Sequence, residues 1–189
     1  MDLPLATKAI RSKWVFKKKL KPDGIIDKFK AWLVALSNRY KKGIDYFDTY
    51  APVARISTIR LLIALASIHN LIIHQMDVKT AFLNGDLDEE VYMNQPQGFI
   101  MPGNENKVCK LIKSLYGLKQ APKQWHQKFD EVVLSSGYLL NQADKCVYSK
   151  FDESGKGVII CLYVDDMLIF GTDQNQVDPQ KNFCHQSSP

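Results

Sequence analysis

Val158-Ile159-Ile160-Cys161-Leu162-Tyr163-Val164 runs directly into Asp165-Asp166, and the apolar character then resumes in Met167-Leu168-Ile169-Phe170. Two apolar runs of strand length around a polar pair predict a β-hairpin with the acids at its tip. Adjacent carboxylates in an apolar setting are costly: held together away from water they repel, and one neutralises. A divalent cation removes the conflict. Mg²⁺ is hard, takes oxygen ligands, and usually binds one or two carboxylates together with substrate phosphates. The simpler alternative is a plain hairpin turn with exposed acids.

A second acid ends a second apolar run. Leu71-Ile72-Ile73-His74-Gln75-Met76-Asp77-Val78 reads as a short strand, Lys79 to Leu83 turns away from it, and Asn84-Gly85 stops the turn. Asp77 is therefore a candidate partner for Asp165-Asp166, although an isolated acid after a strand is often only a helix cap.

The rest of the chain supplies supporting elements. Trp14-Val15-Phe16 enters a lysine cluster and then Lys21-Pro22-Asp23-Gly24, a hairpin turn, with Ile25 to Val34 as the returning strand. Arg55 to His69 places Ile56, Ile59, Leu62, Ile63 and Ala66 at helical spacing. Residues 94–106, rich in Pro, Gly and Asn, read as a loop, and a helix is expected from about Lys123 to Ser136 with Gly137 as its cap. Trp125 and Phe129, four apart, read as core. Strands and helices alternate irregularly, which indicates an α+β fold and not a doubly wound sheet. Residues 173–189 are polar without periodicity and read as a disordered tail.

Bulk properties agree with a folded domain. Of 189 residues, 46% are hydrophobic and 24% charged, enough apolar material for a core. A net charge of +5 and an isoelectric point near 8.9 permit a polyanionic partner without requiring one. Lys13, Lys17, Lys18, Lys19, Lys21, Lys28 and Lys30, followed by Arg39, Lys41 and Lys42, concentrate that charge near the N-terminus. Within this cluster Lys17 to Lys21 is similar to a nuclear signal, but such runs are usually just solvated. Cys109, Cys146, Cys161 and Cys184 form no CxxC pair, and nothing resembling a secretion signal precedes them, so a reducing, intracellular setting is expected. No apolar run is long enough to span a membrane.

The residues around the acids resemble a known family. Met76-Asp77-Val78-Lys79-Thr80-Ala81-Phe82-Leu83-Asn84-Gly85, Ser114-Leu115-Tyr116-Gly117-Leu118-Lys119-Gln120-Ala121-Pro122 and Tyr163-Val164-Asp165-Asp166 resemble, in order, the three catalytic motifs of copia-type (LTR retrotransposon) reverse transcriptases. Gly43-Ile44-Asp45-Tyr46 and Tyr50-Ala51-Pro52-Val53 match the segment leading to the first motif. The likeness covers roughly residues 13–172. It implies a fingers-and-palm unit with an antiparallel palm sheet and packed helices, ending before the thumb. The thumb and RNase H regions are then expected elsewhere in an intact Pol polyprotein.

The resemblance also implies roles. Asp77, Asp165 and Asp166 are the catalytic acids, holding two Mg²⁺ ions (Mn²⁺ as the alternative) together with the carbonyl of Val78. Lys30, Val78, Thr80, Ala81, Phe82, Tyr116 and Gly117 take the dNTP, with Phe82 blocking a 2′-hydroxyl and the Thr80 and Ala81 amides cradling phosphate. Lys28, Lys119, Gln120, Tyr163 and Val164 meet an RNA or DNA primer–template. One strand departs from the family pattern Lys-Ala-Arg-Leu-Val-Ala-Lys-Gly: here Trp32 and Leu36 replace two cations. Two other readings stand beside this one, and that loss and the missing thumb favour the first of them. One is an inactive retrotransposon remnant that still binds nucleic acid, the other a basic binding protein whose acids are only structural.

Overall fold

The computed structural model describes residues 1–183 apart from 6, 38–40, 42, 44 and 45. Ile44 and Asp45 of the expected lead-in motif, Arg39 and Lys42 of the basic cluster, and Cys184 therefore lie outside the described residues.

The lysine-rich segment forms the expected hairpin. β1 (Arg11–Leu20) pairs antiparallel with β2 (Ile26–Leu36). Between them the Gly24 amide donates to the Lys21 carbonyl at 2.9 Å, and Gly24 takes φ +84°, which glycine adopts without penalty. The register sets Lys17 opposite Lys30 and Lys19 opposite Lys28. Like charges directly opposite each other destabilise a sheet, so this hairpin is not optimised for its own stability.

α1 (Ile56–His69) ends at Asn70 in the left-handed conformation, φ 52°. Leu62 and Ala66 are buried as the spacing predicts, whereas Ile56 and Ile63 face solvent. Its N-terminus is held from a distance: the buried Asp144 carboxylate accepts from the Arg55 amide at 3.1 Å and the Thr58 hydroxyl at 2.7 Å.

A five-stranded antiparallel sheet forms the centre. β3 (Ile72–Asp77) pairs with β9 (Asp166–Gly171), β9 with β8 (Gly157–Tyr163), β8 with β7 (Val147–Phe151), and β7 with β6 (Leu139–Leu140). α2 (Ala121–Ser135) begins two residues before the expected start, because Pro122 is tolerated in a first helical turn. The main core joins Leu62 and Ala66 of α1, Trp125, Phe129 and Val133 of α2, and Tyr148, Ile160, Leu162, Met167 and Ile169 of the sheet.

The pair β4 (Asp86–Asn94) and β5 (Val108–Lys113) was not expected from the sequence. Asp86-Leu87-Asp88-Glu89-Glu90 offers almost no apolar alternation, and Val91 and Met93, with the half-buried Leu87, anchor it in a second core with Ile10, Ala35, Leu118 and Ala121. The intervening loop is where the glycines and prolines predicted it.

The disordered tail expected from residue 173 is corrected over α3 (Gln174–Phe183). Val177 anchors it: the side chain is fully buried, and a Cβ on Gly171 would meet its Cγ2 at 2.3 Å. Asp173 accepts from the Gln176 amide at 3.1 Å and pairs with Lys156 at 3.5 Å. The mostly polar sequence of this helix leaves no apolar periodicity to read. Residues 184–189 lie outside the described residues.

Candidate active site

The three aspartates come together through backbone pairing. β3 ends at Asp77, which stands directly opposite Asp166, the first residue of β9. Tyr163 pairs with Asp166, so Val164-Asp165 is a two-residue turn with Asp165 at its tip and Asp166 already in the strand. The Val78 amide donates to the Asp165 carbonyl at 2.8 Å and fastens the turn to the end of β3. Gln75 Nε2 donates to Asp166 Oδ1 at 3.4 Å. Val164 carries φ +60°. Positive φ at the first turn position matches the right-handed twist of a hairpin, but it is a strained setting for a β-branched residue.

Asp77 and Asp165 open onto a cleft of about 580 Å³. Its second wall is β2, which contributes Lys30, Trp32 and Val34. Val78, Lys79, Thr80 and Tyr116 also line it, as do Val15 and Ala31 of the hairpin. Lys30 Nζ lies 5.7 Å from the centre of the Trp32 ring. Repulsion from Lys19 pushes the Lys30 ammonium below its usual value, while the charge of Asp77 acts in the opposite sense. Tyr116 has its phenol raised by burial and then by Asp165 and Asp77. Two carboxylates, two lysine side chains and a phenol thus line one space.

The Tyr116–Gly117 segment ties these walls together. The Ala35 amide donates to the Tyr116 carbonyl at 2.7 Å, and the Ser37 hydroxyl donates to the Gly117 carbonyl at 2.5 Å. Gly117, at φ +92°, has its Cβ position blocked by the Ala35 carbonyl oxygen at 2.2 Å. The approach that needs a glycine here is therefore made to β2. Phe82 does not line the cleft; its ring lies 5.1 Å from that of Tyr116, which does.

Other expected contacts are not gathered. Ala81 is fully buried and presents no surface to a ligand, because the 3₁₀ turn Ala81–Asn84 folds it into the core. Gln120 is likewise fully buried, and its side-chain amide donates to Glu89 at 3.4 Å, so it faces protein and not nucleic acid. Lys28 and Lys119 are exposed but do not line the cleft. Tyr163 and Val164 are exposed beside the acids. Lys79 and Trp32 join the site without having been singled out for it. Lys79 was legible as the neighbour of Val78; Trp32 stands where the family pattern leads one to look for a cation.

Among the described residues no three His, Cys, Asp or Glu side chains form a closed metal-binding set. Two carboxylates on one cleft wall are nevertheless the protein share expected of a Mg²⁺ site that is completed by substrate phosphates.

Comparison with known proteins gives the family. The family model described as reverse transcriptase (RNA-dependent DNA polymerase) matches residues 1–187. The chain is 47% identical over 177 residues to the retrovirus-related Pol polyprotein from transposon TNT 1-94 of Nicotiana tabacum, which covers 94% of this chain and 13% of that polyprotein. It is 41% identical over 162 residues to the Pol polyprotein from transposon RE1 of Arabidopsis thaliana, covering 85% of this chain and 11% of the relative. It is 33% identical over 138 residues to the transposon Ty1-H Gag-Pol polyprotein of Saccharomyces cerevisiae, covering 70% and 7%. No solved structure matches. The chain thus spans a small fraction of the relatives it resembles, and within that span it belongs to the reverse transcriptase (RNA-dependent DNA polymerase) family, as a copia-type retrotransposon member.

Proposed function

We propose that β1–β2 forms the fingers and the five-stranded sheet the palm of an RNA-directed DNA polymerase, and that the cleft between them takes the incoming dNTP. One observation carries this reading: Asp77 and Asp165 share a cleft with Lys30. Carboxylates for metal lie on one wall, and a cation for phosphate lies on the other.

Asp77 and Asp165 would hold divalent cations, Mg²⁺ or Mn²⁺, with Asp166 completing the acidic cluster and the Val78 carbonyl as a further ligand. Bound there, such ions would supply Lewis-acid chemistry, lowering the pKa of a primer 3′-hydroxyl and neutralising charge on the leaving pyrophosphate. The chain's own residues bind and orient. Lys30 makes charge-assisted contacts to the triphosphate. The Thr80 amide, in a tight turn after β3, adds a donor. Tyr116, backed by Phe82, shapes the sugar pocket and leaves no room for a 2′-hydroxyl. Lys28 and Lys119 meet the template backbone, and Tyr163-Val164 the primer end. The thumb and RNase H functions belong to other parts of a polyprotein.

A second reading is favoured by Trp32 and Leu36, which leave β2 with fewer cations than the family pattern. On it the chain is an inactive remnant that binds nucleic acid through its lysine ladder. Thermal melting separates the two. The first reading expects Mn²⁺ plus a dNTP to raise the midpoint in the wild type, with the gain abolished in Asp77→Asn; saturating a site a hundredfold above its dissociation constant adds about 2.7 kcal/mol. Salt-sensitive oligonucleotide binding with no metal–nucleotide stabilisation would favour the second.

A further inference from the structure

Trp125 is buried in the main core, yet its indole N–H leaves that core to donate to the carbonyl of Val164 at 2.8 Å. The acceptor belongs to the turn that carries Asp165. A peptide unit is planar, so holding the Val164 carbonyl also holds the Asp165 N–H. The next peptide plane is held as well, because the Asp165 carbonyl accepts from the Val78 amide at 2.8 Å. Both planes flanking the Asp165 Cα are thus fixed, one from α2 and one from the end of β3. Two fixed planes leave the Asp165 side chain one direction of departure from the backbone.

The turn needs this. Val164 sits at φ +60°, a region in which a β-branched side chain is strained and a free hairpin would relax. The hydrogen bond is what the indole adds to aromatic packing. Trp125 meets Phe129 at 5.6 Å between ring centres, a contact a phenyl ring would also make. The position of α2 is itself set closely: a Cβ on Gly85 would fall 2.8 Å from the backbone nitrogen of Trp125. The first acidic motif therefore seats the helix, the helix seats the indole, and the indole seats the turn.

We infer that Trp125 is a positioning residue for Asp165, acting through the Val164 carbonyl. This rests on the reading of Asp77 and Asp165 as metal ligands, and the test keeps the two apart. Trp125→Phe keeps an aromatic in the core and removes the donor. Replacing the indole by a benzothienyl ring removes the donor alone and serves if the phenyl variant does not fold. In either variant the Val78 amide, measured by hydrogen exchange on the full chain, is expected to exchange about tenfold faster, the size of one lost hydrogen bond. Amides between β7 and β8 should keep their protection. Mn²⁺ binding, followed by electron paramagnetic resonance, should weaken by about tenfold in the variant and vanish in Asp77→Asn. Unchanged Val78 exchange, a uniform rise across the sheet, or unaltered Mn²⁺ affinity overturns the positioning role. A wild type that binds no Mn²⁺ while the variant still shows the local rise at Val78 overturns the metal reading and leaves the backbone clamp standing.

Discussion

Gly117 lies so close to Ala35 that a Cβ on it would stand 2.2 Å from the Ala35 carbonyl oxygen. Its φ of +92° adds a backbone conformation that other residues enter only under strain. The two peptides join the β1–β2 hairpin to the loop bearing Tyr116, so the cleft depends on this contact. Gly117→Ala should destabilise the protein by roughly 2–4 kcal/mol in urea unfolding without any nucleotide present. A variant as stable as the wild type would show that the glycine serves something other than this junction.

Acid should loosen α1 through Asp144. Burial acts to raise this carboxyl, but hydrogen bonds from the Thr58 hydroxyl and from the Arg55 and Cys146 amides outweigh it and hold it below its ordinary 3.8. A depressed carboxyl contributes stability that is present above its unfolded value and lost as pH falls through its folded one. Asp144→Asn should therefore cost about 1–3 kcal/mol at neutral pH, and the difference from the wild type should shrink below about pH 4. Chemical unfolding at several pH values checks this, and a gap that stays constant into acid would contradict it.

On the proposed polymerase reading, Phe82 excludes ribose indirectly, by backing Tyr116. Phe82→Val should then raise incorporation of ribonucleotides relative to deoxynucleotides by at least about tenfold. Tyr116→Ala should do the same, since the two rings form one wall. Discrimination that survives both substitutions would remove this wall from sugar selection.

Cys146, His126 and Asp130 lie in sequence of contact. Cys146 Sγ is 3.8 Å from His126 Nε2, and His126 Nδ1 is 3.5 Å from Asp130. The grouping is not a nucleophile. Burial, reinforced by Asp144, pushes the Cys146 thiol up to about 12, and burial takes Cys161 to about 11. Thiolate is the reactive form, so both should resist iodoacetamide at pH 8 until the protein unfolds. Rapid labelling of either in the native state would contradict the packing described.

Much of this was legible in the chain. Apolar runs ending in Asp77 and interrupted by Asp165-Asp166 gave the two hairpin partners, and helical spacing gave α1 and α2. What escaped was decided by tertiary contact. Asp86 to Glu90 forms a strand because Leu87, Val91 and Met93 reach a second core, α3 docks through Val177, and Gln120 is drawn inward to Glu89. Trp125 was correctly read as core, but no spacing rule reveals that its N–H finds the carbonyl of Val164.

Single-nucleotide addition tests the central claim most directly. A short hairpin primer–template, enzyme in excess, Mg²⁺ or Mn²⁺ and one dNTP suffice, so that holding a long duplex does not limit the readout. If Asp77 and Asp165 form a working metal site, the wild type extends the primer by one nucleotide, and Asp77→Asn and Asp165→Asn, folded to the same melting midpoint, do not. Extension that persists in either variant, or none by well-folded wild type with either metal, would contradict the account.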